Sequence, residues 1–384
     1  MKKLLLFVYA LAIVISLKSQ DIYNSGSFTN PEGTQMAAVF KNGGVIFRDE
    51  QPYRDLYSSA MIIDTLSGDI YWSVNSNPSG LISSGYGCVK KNNDILLDNV
   101  LGTCVNDIAM DGGDIYAAGY MNDIYNSVAA VWKNGDTTPL YTYCNDKTRS
   151  QVLDIEVVDG VVYACGYYED ILNYGCVWVN GDLYASYPYS TVSSIAYHDG
   201  DIYYTISDCT TMVYKSGEKL YDLQDFGGTC NEVNDIKVVN DDVYTVGFMG
   251  FIDCYVWQNA TSIYYHPFGR DADLTACQLY DNCLYYAGWD HNNNGTIFKD
   301  GVQLYSYGNC AFYSLCVRPA PLAVAEVEAD DSSVTYIYDI FGNLVKTVYS
   351  DGNQLDTSDL PSGFYIAKTG SSVVKFIKHA SNTL

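Results

Sequence analysis

A short motif recurs along the chain, and this internal repeat constrains the fold more than any other feature of the sequence. The stretch "AVWKNGDTTPLYTY" begins at Ala130, and the near copy "CVWVNGDLYASYPY" begins at Cys176. Each copy has an aromatic residue before a turn similar to Lys-Asn-Gly. The aromatic position is occupied by Phe40, Trp132, Trp178, Tyr214, Trp257 and Phe298, with a degraded copy at Lys90. We expect the aromatic to pack between neighbouring units and Asn-Gly to form a tight hairpin turn.

A second motif, similar to Asp-Ile-Tyr-x-x-Gly, recurs in step with the first. Its apolar position is occupied by Ile22, Ile70, Ile115, Val162, Ile202, Val243 and Leu284. Each motif therefore occurs seven times, at intervals of about 36 to 50 residues. This interval fits four short strands per unit, which is the blade of a β-propeller.

The two ends of the repeat region are incomplete in complementary ways. Asp21 and Ile22 open the region directly with the second-strand motif, whereas "AFYSLCV" (311–317) is an inner strand with no second strand after it. Joining them completes a seventh blade and removes exposed sheet edges. The sequence therefore predicts an all-β fold, with a seven-bladed β-propeller over 20–317 closed by its N- and C-terminal strands. The region lacks the Gly-His and Trp-Asp marks of WD-type propellers, so it is placed in no named propeller family.

The first residues have the pattern of a secretory signal peptide. Lys2 and Lys3 precede an apolar run from Leu4 to Leu17, which is too short to span a bilayer. We therefore predict a signal peptide over 1–19 and an exported protein. The mature chain has no further apolar segment of membrane-spanning length.

The last part of the sequence changes character. Residues 318–333 mix Pro, Ala and acids and are interpreted as a linker. Residues 334–384 contain "YDIFGNLV", "LPSGFYI" and "VVKFIK" in this order, and this set resembles the C-terminal sorting domain of the type IX secretion system of Bacteroidetes. The resemblance implies a small β-sandwich-like module that is recognised by outer-membrane secretion machinery. It also implies a protein that is secreted or attached to the outer cell surface.

The net charge and the cysteine spacing exclude some classes of ligand. A net charge of -24 disfavours nucleic acid, because phosphate binding requires neutralisation by Lys and Arg. The 12 cysteines fit no zinc-ligand spacing, and an exported protein permits disulfides. Cys165 with Cys176, and Cys277 with Cys283, could each face one another across a hairpin, although the sequence does not fix the connectivity. We expect a monomer.

The search for a functional site concentrates on one face of the ring. The tight Asp-Gly and Asn-Gly turns lie on one face and the longer loops on the other, and variable loops on a rigid scaffold often carry function. Asp107, Asp154 and Asp235 each stand near the start of an inner strand. Converging carboxylates could bind a metal or act as acid and base on a glycosidic bond. The alternative, which their recurrence favours, is that each accepts backbone hydrogen bonds within its own crossing loop.

Other candidates for ligand contact lie in the loops. Three arginines could grip a carboxylate or pair with the abundant acids, and three aromatic residues could stack on sugars or fold inward. These candidates are Arg54, Arg149, Arg270, Tyr125, Phe226 and Trp289. The stretch beginning Asp290, Asn292, Asn294 is similar to the start of a calcium loop, but its twelfth position is Gly301 instead of Glu. No other cofactor is indicated.

Three functions remain open. The first is a non-enzymatic surface module that binds a glycan or a protein through the loop face. The second is a carbohydrate-active enzyme, either a glycoside hydrolase or a lyase, that uses the carboxylates at the channel mouth. The third is a structural or adhesion protein of the cell surface. The sequence contains no nucleophile motif such as G-x-S-x-G, no H-E-x-x-H and no phosphate-binding loop, so the binding module is preferred.

Overall fold

The computed structural model is built from β-strands, and it divides the chain into two compact units. One unit is Ile22–Val317, and the other comprises Met1–Asp21 with Arg318–Leu384. The structure describes residues 20–50, 55–76, 86–98, 102–122, 127–144, 149–208, 210–223, 231–249, 253–269, 272–319, 334–339, 344–349, 360, 363–369 and 372–378. Within these residues no helix is long and apolar enough to cross a bilayer. The predicted signal peptide, 1–19, lies outside them.

The described residues of the repeat region form twenty-nine strands. Their bounds are β1 (Gln20–Thr29), β2 (Gln35–Lys41), β3 (Gly44–Asp49), β4 (Leu56–Tyr57), β5 (Met61–Ile63), β6 (Ile70–Ser76), β7 (Tyr86–Lys91), β8 (Asp94–Leu97), β9 (Thr103–Asp111), β10 (Asp114–Asn122), β11 (Ser127–Lys133), β12 (Tyr141–Tyr143), β13 (Arg149–Val158), β14 (Val161–Glu169), β15 (Asn173–Val179), β16 (Asp182–Pro188), β17 (Thr191–His198), β18 (Asp201–Ser207), β19 (Thr211–Lys215), β20 (Glu218–Asp222), β21 (Asn231–Val239), β22 (Asp242–Met249), β23 (Asp253–Gln258), β24 (Thr261–His266), β25 (Asp273–Tyr280), β26 (Cys283–Trp289), β27 (Gly295–Lys299), β28 (Val302–Tyr307) and β29 (Cys310–Pro319).

These strands form consecutive antiparallel sheets of a β-propeller. Most have four strands in chain order, such as β17-β18-β19-β20, β21-β22-β23-β24 and β25-β26-β27-β28. Strands β4, β6, β7 and β8 form another sheet, in which β5 also pairs with β6. Strands β9–β12 and β13–β16 are two such sets, which a parallel pair between Ser127 and Arg149 connects into one sheet of eight strands.

The two ends of the repeat region share a sheet. Strand β29 hydrogen-bonds beside β1, giving the order β29-β1-β2-β3. The Asn24 side-chain amide donates to the carbonyl oxygen of Ser314 at 3.2 Å, across 290 residues of sequence. The last strand of this unit therefore supplies the inner strand of the first sheet. It also extends to Pro319, so the first two residues of the predicted linker are strand, and 320–333 lie outside the described residues.

The recurring aromatic residue packs each sheet against the one before it. Trp132 is buried with Val89 and Leu97 of the preceding sheet, and Trp178 is buried with Val131 and Tyr143. The equivalent residues Phe40, Trp257 and Phe298 are also buried against the preceding sheet. The prediction that this aromatic is part of the core is therefore confirmed.

The two sequence motifs bind each other through the tight turn. The backbone nitrogen of Ile115 donates to Asn134 Oδ1 at 2.8 Å, and the Asn134 nitrogen donates back to the Ile115 carbonyl at 2.8 Å. Asn134 has a φ of 53° and Gly135 a φ of 77°, as a type I′ turn requires. The same reciprocal pair joins Asn42 to Ile22, Asn92 to Ile70, Asn180 to Val162, Ser216 to Ile202, Asn259 to Val243 and Asp300 to Leu284.

Charged residues beside the turn strengthen the same connection. Lys133 Nζ lies 2.7 Å from Asp114 Oδ2 and 5.0 Å from the centre of the Tyr116 ring. The Asn134 amide donates to Asp114 Oδ1 at 2.7 Å. Lysine also lies over the tyrosine of the second motif in four more sheets, at Lys41, Lys91, Lys215 and Lys299. The Lys-Asn-Gly motif, which recurs most clearly, therefore has a structural role within each sheet.

The described residues of the C-terminal unit form four further strands. They are β30 (Val334–Asp339), β31 (Leu344–Tyr349), β32 (Gly363–Thr369) and β33 (Ser372–Lys378), in the order β31-β30-β32-β33. Ile337, Leu360, Tyr365 and Ala367 form its buried cluster. The described residues of this unit form one antiparallel sheet, and they contain no second sheet of the expected sandwich.

Candidate binding site at the axial mouth

The inner strands β9, β13, β17, β21 and β25 carry a β-bulge near their loop-side ends. In β9 the register shifts so that Val105 pairs with Gly119 and Asp107 with Ala118, which leaves Asn106 as the extra residue. The equivalent extra residues are Leu153, Ser193, Asn234 and Thr275. A bulge redirects side chains and increases the local twist. The side chains around it therefore point toward the next sheet.

The glycine of the second motif lies opposite the bulge. A Cβ at Gly119 would lie 1.9 Å from the carbonyl oxygen of Cys104, a distance that no side chain can occupy. The glycines Gly26, Gly166, Gly247 and Gly288 meet an inner-strand carbonyl at 1.9–2.0 Å in the same way. This glycine is therefore required by close backbone approach.

The three predicted aspartates connect neighbouring sheets. Asp107 Oδ2 accepts a hydrogen bond from the Ile155 nitrogen at 3.2 Å, and Asp154 Oδ2 accepts one from the Ile195 nitrogen at 2.8 Å. Asp235 Oδ2 likewise accepts one from Cys277 at 2.8 Å. These hydrogen bonds agree with the interpretation of the aspartates as backbone acceptors, but they reach the inner strand of the following sheet. Asp154 Oδ1 also accepts a hydrogen bond from the Ile155 nitrogen of its own strand at 2.8 Å.

The aspartates also interact with one another and with two other charged residues. Burial, the charge of Asp154 and a hydrogen bond with Asp154 raise the pKa of Asp107 well above its ordinary value. Burial and the neighbouring carboxylate therefore favour the neutral form of Asp107. Lys237 Nζ lies 2.8 Å from Asp235 Oδ1, and burial raises the pKa of Glu156 to about 7 against the opposing charge of Lys237. The three aspartates are therefore engaged with the backbone of the next sheet, and Asp235 is also paired with Lys237.

Four second strands carry an aromatic side chain opposite the loop-side end of the inner strand. In four sheets the residue directly after the recurring glycine is aromatic, and it pairs across the sheet with a residue near the start of the inner strand. We call these the mouth pairs: Tyr120 with Cys104, Tyr167 with Gln151, Phe248 with Glu232, and Trp289 with Asp273. All four aromatic residues are half-buried. We call the loop-side ends of the inner strands, where these pairs lie, the axial mouth.

Further contacts extend the mouth pairs around the axis. The ring of Trp289 lies 5.1 Å from that of Tyr313, and Tyr313 lies 5.9 Å from Tyr57. The Tyr57 hydroxyl lies 3.6 Å from Cys104 Sγ. A run of contacting side chains therefore leads from Trp289 to Cys104, which is itself a mouth-pair residue.

Two of the predicted ligand-contact residues lie at this mouth. Trp289 is a mouth-pair residue, and Arg149 lies over the ring of the mouth-pair residue Tyr167, with 5.8 Å to its centre. Arg149 Nη1 also lies 3.6 Å from Glu169 Oε1. The other predicted contacts, Arg54, Arg270, Tyr125 and Phe226, lie outside the described residues.

Two mouth pairs contain carboxylates that the sequence reasoning missed. Burial and then the charge of Glu232 raise the pKa of Asp273 well above its ordinary value, and burial raises the pKa of Glu232. Asn234 Nδ2 donates to Asp273 Oδ1 at 2.7 Å. Their position in the repeat could have identified them. Both carboxylates lie two residues before the bulge, and each is opposite the aromatic residue that follows the recurring glycine.

The calcium-like loop uses its carboxylate internally. Asp290 Oδ1 accepts hydrogen bonds from the backbone nitrogens of Asn292 and Asn294, both at 2.9 Å, and Oδ2 accepts one from the Asn294 amide at 3.0 Å. Among the described residues, no group of three or more His, Cys, Asp or Glu side chains is arranged to hold a metal. The Asp-x-Asn-x-Asn sequence of this loop is therefore accounted for by hydrogen bonds within the loop.

The four cysteines that could have paired across hairpins are thiols in the structure. Cys165 is opposite Val177 and Cys176 is opposite Gly166, so the two cysteines point to opposite faces of one sheet. Cys277 and Cys283 are likewise opposite Tyr286 and Tyr280, and they belong to different core clusters. The predicted bridges are therefore absent at these pairs, because side chains alternate between the faces of a strand.

No protein-family model matches this chain, and no curated protein matches it. Solved structures with some similarity include the WD40 β-propeller domain of Doa1, at 10% identity over 85% of this chain and 95% of that chain, with a TM-score of 0.45. A putative 6-phosphogluconolactonase from Bacteroides fragilis NCTC 9343 is 12% identical over 79% and 99%, with a TM-score of 0.46. The C-terminal WD40 domain of Sif2 is 9% identical over 93% and 92%, with a TM-score of 0.43. At this level of similarity the function of these proteins does not transfer.

Proposed function

We propose that this protein is an exported ligand-binding module without catalytic activity, built on a seven-bladed β-propeller that binds a glycan or a protein at its axial mouth. The observation that carries this proposal is the set of mouth pairs. Half-buried aromatic side chains beside polar groups supply the mixed apolar and polar lining that ligand sites use. The other end of the inner strands is occupied by the repeated turn contacts, which leave little for recognition.

We propose that the protein performs this binding function outside the cell. The signal-peptide pattern over 1–19 and the sorting-domain resemblance over 334–384 support a type IX-like route to the medium or the outer cell surface. In that location a monomeric binding module would meet glycans and proteins of other cells. Deletion of 334–384 is expected to retain the protein inside the cell envelope, as measured by immunoblotting of cell fractions. Unchanged export of the deletion variant would contradict this route.

A second candidate function rests on Glu232 and Asp273. A carboxyl group whose pKa is raised can act as a general acid, and glycosidases use two carboxylates. The raised pKa values of this pair therefore support a glycoside hydrolase or lyase as the alternative. In contrast, Asp107, Asp154 and Asp235 are occupied by backbone hydrogen bonds.

The experiment that separates these functions measures retention and product release together. The propeller region with its C-terminal module is screened against a panel of polysaccharides and extracellular proteins. Retention without new reducing or unsaturated ends supports the binding module, and release of such products supports the enzyme. Trp289→Ala is expected to weaken retention, because contact of a sugar ring or an apolar side chain with this indole is lost. Absence of any retained ligand across the panel would contradict both.

A further inference from the structure

The crossing between β16 and β17 places a tyrosine at a backbone position that favours glycine or asparagine. Tyr189 has a φ of 60° and stands two residues before Thr191, the β17 residue that corresponds to the inner-strand members of the mouth pairs. At the equivalent positions of two other crossings, Gly102 has a φ of 87° and Asn309 a φ of 53°. Every other non-glycine residue with positive φ in the described part of the chain is Asn, Asp, Ser or Cys. Tyr189 is therefore an exception, because a bulky side chain is unfavourable in this conformation.

Hydrogen bonds of the backbone and of neighbouring side chains fix this turn. The Tyr189 nitrogen donates to the carbonyl oxygen of Asn173 at 2.7 Å, and the Asn173 amide donates to the Ser190 carbonyl at 2.9 Å. The Ser190 hydroxyl donates to the carbonyl oxygen of Tyr187 at 2.9 Å. None of these bonds uses the Tyr189 side chain, and asparagine or glycine would permit all of them. They therefore account for the conformation of the turn, but not for the tyrosine.

The Tyr189 ring is not needed for packing. It is 69% exposed, and no hydrogen bond or ring contact from any other described residue reaches it. Backbone strain persists where surrounding contacts fix it, and strained residues concentrate at functional sites. A strained residue with an exposed aromatic ring therefore points to a contact outside this chain.

Two further exposed apolar residues lie beside this ring. Pro188 directly precedes Tyr189, and Ile171, in the loop between β14 and β15, is 94% exposed. Ile171 is two residues before Asn173, to which the Tyr189 nitrogen is bonded, so its backbone lies within about 7 Å of Asn173. We call Ile171, Pro188 and Tyr189 the crossing patch.

The charge beside the crossing patch is negative. Asp170 directly precedes Ile171, Asp208 directly follows β18, and both are exposed. Arg149 and Glu169, at the loop-side ends of β13 and β14, lie 3.6 Å apart and offset each other. The whole chain carries a net charge of -24, so a second copy of it is repelled. A partner with lysine or arginine is attracted instead.

We propose that the crossing patch binds a segment of another protein that presents an apolar side chain next to lysine or arginine. This inference goes beyond the proposed function, because it uses none of the mouth pairs. Tyrosine is a frequent anchor of protein interfaces, and Ile171 and Pro188 extend the apolar contact. A glycan can stack on the Tyr189 ring but leaves Ile171 without apolar surface to bury it, whereas a protein segment supplies such surface.

The test selects binders from a display library of random short peptides, in parallel on the full mature chain and on its Tyr189→Asn variant. Asparagine accepts this φ and stands at the equivalent position 309, so the variant is expected to fold. Peptides that depend on Tyr189 are expected to be enriched in lysine or arginine beside an aromatic or aliphatic residue. Calorimetry of one such peptide is expected to show binding about tenfold weaker for Tyr189→Asn and for Ile171→Ser. Its affinity is expected to fall as salt rises.

Two control variants locate the peptide. Tyr184→Asn replaces another exposed tyrosine of β16, at 48% exposure, and is expected to leave the affinity unchanged. Trp289→Ala, at the axial mouth, is also expected to leave it unchanged. Tyr189→Asn is further expected to raise the melting temperature by about 2 °C, because it relieves an unfavourable backbone conformation. Tyr184→Asn removes no such strain and is expected to give no increase.

Other occupants give different results. The proposal is overturned if no selected peptide depends on Tyr189, or if the dependent peptides lack basic residues. Loss of polysaccharide retention in Tyr189→Asn, without loss of peptide binding, would assign the patch to a glycan. A dimer in sedimentation that Tyr189→Asn abolishes would assign it to a second copy. A lower melting temperature of Tyr189→Asn would show that the ring stabilises the fold. Equal loss of the peptide in Trp289→Ala would place it at the axial mouth.

Discussion

The two ends of the inner strands use equivalent positions in opposite ways. At the tight-turn end, the same contact between a turn residue and the second strand is made in sheet after sheet, as Asn134 and Ile115 illustrate. At the axial mouth, the register is equally regular, but the residue at one equivalent position is Cys104, Gln151, Glu232 or Asp273. Repetition therefore marks the contacts that hold the ring together, and variation on the same scaffold marks the end that can recognise a ligand.

The bulge glycine is expected to give the largest loss of stability. Gly119→Ala places a methyl group 1.9 Å from the Cys104 carbonyl oxygen, so the backbone of two strands must separate. We expect the free energy of unfolding to fall by about 3 kcal/mol or more, since overpacking against backbone is poorly relieved. Chemical denaturation measures this.

Gly44→Ala is the matched control for the glycine prediction. This glycine is exposed in β3, and its nearest atom to a new Cβ is the Lys41 carbonyl oxygen at 3.5 Å. We expect a change within about 0.5 kcal/mol. Similar losses for the two substitutions would show that glycine at the bulge is not needed for close approach.

The neutral form of Asp107 leads to the second prediction. Asp107→Asn keeps an oxygen for the Ile155 nitrogen and supplies an N–H that can donate to Asp154, so stability is expected to stay within about 1 kcal/mol of the original protein. Asp107→Ala removes both and is expected to cost about 2 kcal/mol. Thermal unfolding at neutral pH compares the two. If Asp107→Asn lowered the stability more than Asp107→Ala, Asp107 would have to be ionised in the folded protein.

Much of the architecture could be predicted from the sequence because it depends on local rules. Asn134-Gly135 is a tight turn because both residues accept positive φ, and Trp132 is buried because an aromatic that recurs in most copies packs against a neighbouring sheet. The partner of Asp107 was not predictable in this way. A repeat gives equivalent positions, but whether a side chain turns to its own loop or to the next sheet depends on the bulge at Asn106.

Dependence on tertiary structure also explains why the cysteine pairing was predicted wrongly and why most residues of the axial mouth were not predicted. Whether Cys165 and Cys176 share a face depends on the strand register, which a loop of unknown conformation sets. Candidate ligand contacts were sought mainly in the loops, so the aromatic residues at the strand ends were overlooked, except for Trp289. A comparison of the residue after each recurring glycine would have found Tyr120, Tyr167 and Phe248 from the sequence.

Glu156 supplies a test of the inner-strand charges through the pH dependence of stability. Its pKa rises from an ordinary value of 4.5 to about 7 in the folded protein, so the folded state binds more protons than the unfolded state between these values. Stability from this group is therefore present below about pH 4.5 and is lost as the pH rises toward 7. Glu156→Gln is expected to gain thermal stability relative to the original protein at pH 8 but not at pH 4.5.

Glu218→Gln is the control for this pH experiment, because Glu218 is exposed on the outer strand β20. Its difference in melting temperature from the original protein is expected to stay constant between pH 4.5 and 8. A constant difference for Glu156→Gln as well would show that folding does not raise the pKa of Glu156.

The smallest effect on stability is expected at the axial mouth itself. Arg149 and Glu169 are about half exposed, at 51% and 41%, and their closest approach is 3.6 Å. A surface ion pair of this kind contributes little, so Arg149→Gln is expected to change the free energy of unfolding by less than about 0.5 kcal/mol. The same substitution is expected to alter the affinity of any ligand that contacts Tyr167, because the guanidinium lies over that ring. A large loss of stability with no change in binding would assign Arg149 to the architecture and would remove the distinction between the two ends of the ring at this position.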